Sequence, residues 1–139
     1  MPGDSLVNQL SPTEAAWLAG FIDGDGAISR NITTKGRNRE HGSYQTMVYL
    51  IQIGQKNRMV LDYIRILVGA GRVIGMEPRS TNLIKKPIHP TMHHRWSLGG
   101  RQLVQSLLVQ LVPYLVIKKE KAERIMADTE RWRDREDKS

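Results

Sequence analysis

The chain contains no cysteine, no long apolar run and, through its middle two thirds, almost no acid. Without cysteine there can be no disulfide, thiolate metal site or thiol nucleophile. Its 139 residues must then be held by a packed core, and a chain of this length can bury one. No apolar stretch approaches the length of a membrane span. The opening residues, MPGDSLVNQL, lack the basic start and apolar stretch of a secretory signal. These absences lead us to expect a soluble, intracellular protein with no membrane partner. A single domain is expected over residues 1–139, flexible at 1–10 and 133–139. Residues 26–117 hold thirteen Lys/Arg and three acids, whereas the tail from Lys118 holds eight basic and seven acidic residues. A positive surplus concentrated in mid-chain suits a polyanion, with nucleic acid well ahead of an anionic membrane.

What is present reads as an α+β pattern. SPTE at 11–14 is a capping box with proline in the first turn. The helix it starts is expected to run to about Asp23 and stop at Gly24 and Gly26. Ala27–Thr34 reads as a strand, Lys35–Ser43 as a polar loop, and Tyr44–Ile53 as a strand apolar enough to be covered on both faces. Val60, Tyr63, Ile64 and Leu67 carry helical spacing, closed by Gly69 and Gly71. Arg72–Met76 and His93–Leu98 read as strands. Between them, Glu77–Met92 carries three prolines and reads as a long mobile connection. Val104, Leu107, Leu108 and Leu111 mark another helix, broken by Pro113. A last charged helix from about Ile117 to Trp132 has Ala122, Ile125, Met126 and Thr129 inside. The order predicts an antiparallel sheet with helices on one face.

The stretch WLAGFIDGDGAI, residues 17–28, is the chain's least ordinary feature. Ala16, Gly20 and Gly24 recur every four residues, leaving one helix face almost without side chains. Glycine inside a helix costs roughly 1 kcal/mol relative to alanine. Close approach of another helix backbone would justify two of them. Trp17, Leu18, Phe21 and Ile22 are left to reach the core. Asp23 and Asp25 stand at the helix end, where the macrodipole disfavours negative charge. A divalent cation would offset that, and carboxylate and carbonyl oxygens are the hard ligands Mg²⁺ prefers. A plain solvated turn also fits the local pattern. A calcium loop does not, because its fifth and twelfth positions would be Ala27 and Thr34.

LAGFIDGDG, Leu18–Gly26, closely resembles the signature of the LAGLIDADG homing endonucleases. QIGQK at 52–56 and PYLVIKKEK at 113–121 resemble that family's segments carrying an active-site Gln and Lys. The resemblance covers about residues 11–126. It implies an αββαββα core with a saddle-shaped sheet. One motif in so short a chain implies the homodimeric branch, similar to intron-encoded enzymes that cut both strands of a long, near-palindromic DNA site. It implies that two first helices meet along Ala16, Gly20 and Gly24. Asp25, with the Gly24 carbonyl, would then hold Mg²⁺. Mn²⁺ would substitute, and Ca²⁺ would bind without supporting cleavage. Asp23 would support the helix end, Gln55 would order solvent and Lys118 would offset developing charge, with Arg58 nearby.

DNA reading would fall to the sheet face opposite the helices. With Ile28 and Ile32 inward, strand alternation puts Ser29, Asn31 and Thr33 outward. The same parity selects Thr46, Val48, Leu50 and Gln52, then Arg72, Ile74 and Met76, then Arg95 and Ser97. A slip of one residue would exchange the faces. Arg30, Lys35, Arg37, Arg39, Lys85 and Lys86 are better placed for phosphates. An eight-residue strand spans ~26 Å at roughly 3.3 Å per residue, about eight base pairs. Histidine chemistry fits poorly: His93 and His94 point to opposite faces of a strand, and Pro90 keeps His89 from a helical pair with His93. An RNA-binding maturase and a non-cleaving DNA-binding regulator on the same fold remain open alternatives.

Overall fold

A computed structural model describes residues 6–38, 42–76 and 93–137, with side chains at 33–38, 42–45, 76 and 131–137 left aside. The first helix, α1, is Pro12–Asp25. Its capping box forms in full: Ser11 Oγ accepts from the Glu14 N–H, and the Glu14 carboxylate accepts from the Ser11 N–H. The helix runs two residues past the expected end, because Gly24 stays helical and Gly26 is the cap. That cap is extended, not left-handed. A Cβ on Gly26 would lie 2.9 Å from the Ile22 Cα, so the chain needs glycine there for close approach.

Strands β1, Gly26–Asn38, and β2, Gly42–Gln55, form a long antiparallel hairpin. The expected polar loop at 35–43 is largely strand. Pairing continues through Asn38 and Gly42 across a register shift, because backbone pairing does not require apolar side chains. Helix α2, Arg58–Val68, follows, with Asn57 as its side-chain cap. Strands β3, Arg72–Met76, and β4, His93–Gly99, pair antiparallel, and β4 also lies against β2. The sheet order is β1-β2-β4-β3. Helix α3, Arg101–Leu111, a 3-10 turn at Val112–Tyr114 and helix α4, Lys119–Asp137, complete the chain. The element order is the expected αββαββα plus a last helix. The connection at 77–92, with Lys85, Lys86 and His89, lies outside the described residues, as does Arg39.

The core fills the space between the helices and one sheet face. Ile28, Tyr49, Ile51, Ile53, Trp96 and Leu98 meet Leu18, Ile22, Leu61, Ile64 and the α3 stripe Val104, Leu107, Leu108 and Leu111. β2 is therefore covered on one face by its own chain: Val48, Leu50 and Gln52, on the other, are only half-buried. Strand parity is as expected, but Ile32, which shares the inner face with Ile28, is 60% exposed. The strand outruns the helical layer at that point. Trp17 is 40% exposed and Phe21 half-buried, so of the four residues expected to reach the core from α1, Leu18 and Ile22 do so fully. In α2 the inner stripe is Leu61, Ile64 and Val68. Tyr63 is half-exposed and leans edge-on against Trp17, ring centroids 5.3 Å apart.

Two polar networks fasten the layers. Tyr49 donates its hydroxyl proton to Asp128 of α4, and Arg30 pairs with the same carboxylate at 3.0 Å. Burial, then the hydrogen bond to Asp128, pushes the Tyr49 phenol well above its ordinary range. Before α1, the described residues from 6 onward pack against α2 and α3. Leu10 is buried, its N–H donates to Gln110 Oε1 at 2.7 Å, and the Asn8 N–H donates to the Val68 carbonyl at 2.8 Å. At the other end the chain is helical through Asp137.

Candidate catalytic centre and nucleic-acid interface

The last turn of α1 carries two acids and no base. Its terminal carbonyls lack intrahelical donors and present partial negative charge. The chain relieves this from the segment after the 3-10 turn. Lys118 Nζ donates to the Asp23 carbonyl at 2.8 Å. The Asp23 carboxylate accepts the N–H groups of Val116 at 2.7 Å and Lys118 at 3.0 Å. Burial works against the charge on Asp23. The N–H donors of Val116, Lys118 and Ile117, with the Lys118 ammonium, outweigh it and hold the carboxyl below its ordinary value. Asp23 is thus occupied in joining α1 to the segment before α4.

Asp25 differs in every respect. It is exposed, and its carboxylate accepts one hydrogen bond, 2.6 Å from Gln55 Nε2. Sheet register sets this contact: Gly26 pairs with Ile53, so the end of β2 arrives beside the end of α1. Asp25 and Gln55 are therefore in contact, and Lys118 binds the same helix end through Asp23. Arg58 pairs instead with Asp62, one turn on, at 3.5 Å. Among the described residues no group of three acids or histidines could enclose a metal ion. One exposed carboxylate and the neighbouring Gly24 carbonyl are hard oxygen donors suited to Mg²⁺, but they are too few for a site within one chain.

Ala16, Gly20 and Gly24 lie exposed along α1. A Cβ on Gly20 or Gly24 would meet nothing within 4 Å. Nothing in the protomer's own packing requires either glycine. Exposed apolar side chains accompany this bare stripe. Trp17 touches Tyr63 of α2, a helix that also exposes Met59 and Ile66, and Asp23 binds the N–H of Val116, which is exposed together with Ile117. Val116 is 81% exposed and Met59 78%, unusual for such residues in a chain with an ordered core.

The sheet face away from the helices carries Ser29, Asn31, Val48, Leu50, Gln52, Arg72, Ile74, Arg95 and Ser97 on one side, as strand parity predicts. They stand in cross-strand rows. Asn31 faces Val48 and Ser29 faces Leu50; Gln52, Ser97 and Arg72 line up across three strands, and Arg95 faces Ile74. Gln52 Nε2 lies 3.4 Å from Ser97 Oγ, a long bond within the face. Thr33 pairs with Thr46 and Lys35 with Tyr44 in the same ladder, Arg37 lies on β1, and Met76 pairs with His93. Arg30 is a correction: with Ile28 it faces the helices, where Asp128 holds it, so it is not on the face or edge expected to meet phosphates. The Tyr49–Asp128–Arg30 cluster was not legible, because Asp128 is one acid among many in a charged helix.

No protein-family model and no curated protein sequence matches the chain. Solved structures do. The homing endonuclease I-CvuI in complex with its DNA target in the presence of Ca aligns at TM-score 0.65 and 23% identity, covering 86% of this chain and 67% of that one. I-CvuI with the I-CreI target and Mg, the DNA not cleaved, aligns equally well over 85% and 66%. An archaeal intron-encoded homing endonuclease, I-Vdi141I, complexed with DNA, gives 0.59 and 23% over 85% and 67%. The LAGLIDADG meganuclease I-CpaMI bound to uncleaved DNA gives 0.63 at 14% identity, over 94% of this chain and 41% of that one. The chain thus spans about two thirds of the first two proteins and two fifths of the last. Its α+β architecture is the fold of the LAGLIDADG homing endonucleases.

Proposed function

We propose that the chain is a site-specific DNA endonuclease of the LAGLIDADG type, acting as a homodimer on double-stranded DNA. The observation that carries this is Asp25. It is an exposed carboxylate at the terminus of a helix with an uncovered small-residue stripe, at one end of a sheet whose outer face carries arginines and is left uncovered by the helices described. Two copies of α1 packed along Ala16, Gly20 and Gly24 bring two Asp25 carboxylates together. The exposed apolar side chains of Met59, Tyr63, Val116 and Ile117 would enlarge the same interface. Arg72 and Arg95, on the outer face of the sheet, would meet the DNA. Solved neighbours bound to DNA support the partner.

In this reading Asp25 and the Gly24 carbonyl hold Mg²⁺, with Mn²⁺ as a substitute and Ca²⁺ bound without cleavage. When bound, such an ion supplies an acidified water and charge stabilisation at phosphorus. Gln55 fixes the carboxylate through its amide N–H and leaves its carbonyl oxygen to orient water. Lys118 stabilises the helix end and adds positive charge near the scissile phosphate. β1, thirteen residues long, spans about 43 Å at ~3.3 Å per residue, so each protomer covers about a dozen base pairs.

Asp25→Asn tests the proposal. It keeps shape and removes one charge per subunit from a pair that repel each other, so folding and target binding should persist. Nicking in Mg²⁺ should fall below detection. Gel-shift affinity and nicking rate on the same preparation decide it. Undiminished cutting by the variant would remove Asp25 from the chemistry, and a wild-type protein that binds DNA but never cuts would be a regulator on this fold.

A further inference from the structure

Resting on the reading of the outer sheet face as a DNA-reading surface, we infer that each half-site carries guanines next to the cut and A·T pairs farther out. Two arginines of that face, Arg72 and Arg95, stand near the catalytic end. Arg72 lies opposite Ser97, in the row of Gln52, one row from the Gly26–Ile53 pair that adjoins Asp25. Arg95 lies opposite Gly54 and Ile74, at the level where β2 reaches Gln55. The two arginines are diagonal neighbours, a spacing of roughly 7–8 Å. Neither forms an ion pair with a described residue, although Gln52 and Ser97 beside them already bond each other. A planar guanidinium with all its donors free suits the O6/N7 edge of guanine.

Farther along β1 and β2 the chemistry changes. Asn31 faces Val48 and Ser29 faces Leu50. An asparagine pairs with the N6/N7 edge of adenine, and an aliphatic side chain packs on the thymine methyl. Asn31 beside Val48 therefore matches both bases of one A·T pair, and Leu50 favours another thymine. Rows two residues apart are about 7 Å apart, roughly two base pairs. The resulting order, outward from the cut, is guanine, then A·T.

The test is selection by binding. The full-length protein, in EDTA so that nothing is cut, is mixed with duplexes carrying a randomised stretch of about 30 base pairs, and bound molecules are sequenced. The expected motif is near-palindromic, with guanines flanking the centre and A·T pairs outside them. Arg72→Gln replaces a guanine-reading fork with an adenine-reading amide, so the inner position it reads should turn from guanine to adenine, a change of roughly ten- to a hundredfold in preference. The outer A·T preference should remain, which also shows that the variant is folded. A motif without inner guanines overturns the inference. So does an Arg72→Gln motif identical to wild type with affinity lowered uniformly, since that would make Arg72 a phosphate contact. Absence of any enriched motif, or of binding, overturns the DNA-reading proposal along with it.

Discussion

Asp23 and Asp25 are the same residue two positions apart, and only their partners separate them. Asp23 is claimed by N–H groups of Val116 and Lys118, more than ninety residues away. Asp25 meets one amide and solvent. No local pattern distinguishes the two, because the discriminating segment arrives through the fold. The resemblance to a known signature points to Asp25, whereas the residues alone leave both as candidates. The Asp23 environment has a consequence in pH. Its folded carboxyl sits below the ordinary value, so folding favours the charged form. That contribution is complete above about pH 4. It is lost as the pH falls through the lower folded value. Asp23→Asn should therefore be less stable than wild type at pH 7, and the gap should narrow as the pH is taken from 5 towards 2 in urea titrations. A gap that stays constant over that window would show that charge is not what Asp23 contributes. The glycines sort in the same manner. Gly26→Ala puts a methyl 2.9 Å from backbone and should destabilise the fold by about 1–3 kcal/mol. Thermal melts of that variant at wild-type stability would refute the close approach.

Helices were more legible than strands or their ends. The Ser11 capping box and the α3 stripe Val104–Leu111 follow from local spacing, and both stand as read. The ends of β1 and β2 did not follow, since residues 35–38 and 42–43 pair through backbone that composition does not report. Of the expected α2 stripe, Ile64 is fully buried and Val60 and Leu67 pack against the core in part; Tyr63 is the exception. Tyr63 looks like a core residue, yet it packs on the exposed Trp17 and not into the core. That misreading is informative, because an aromatic left at the edge of a bare stripe extends a surface that one protomer cannot cover. Gly20→Leu probes that surface. Space around Gly20 is open in the protomer, so the side chain should not disturb the fold. If two α1 helices meet there, circular dichroism should remain wild-type while light scattering shows monomer and cleavage is lost. An active dimer would refute the assigned interface. Tyr49→Phe probes the tie of α4 to the sheet. It removes one hydrogen bond to a charged acceptor and should cost about 1.5–3 kcal/mol in denaturant titrations. No change in the midpoint would mean that Arg30 alone holds Asp128.

Charge is a property of the whole molecule, and it bears on both the proposed dimer and its proposed DNA partner. The chain carries a formal net charge of +7, and its surplus lies in the segment that builds the sheet. Among the described residues no helix is long and apolar enough to cross a membrane. A protein that neutralises phosphates releases counterions, and its affinity then falls with salt in proportion to the number of contacts. Six phosphate contacts by a dimer would give a log-log slope of about −5.4. The Gly20→Leu monomer, presenting one sheet, would engage half as many and should show a slope of about −2.7. Measuring both proteins on one duplex across 50–200 mM salt separates charge from assembly. Equal slopes would mean that wild type binds as a single protomer. A flat response in wild type would leave the basic mid-chain without its proposed partner, however the sheet and Asp25 are arranged.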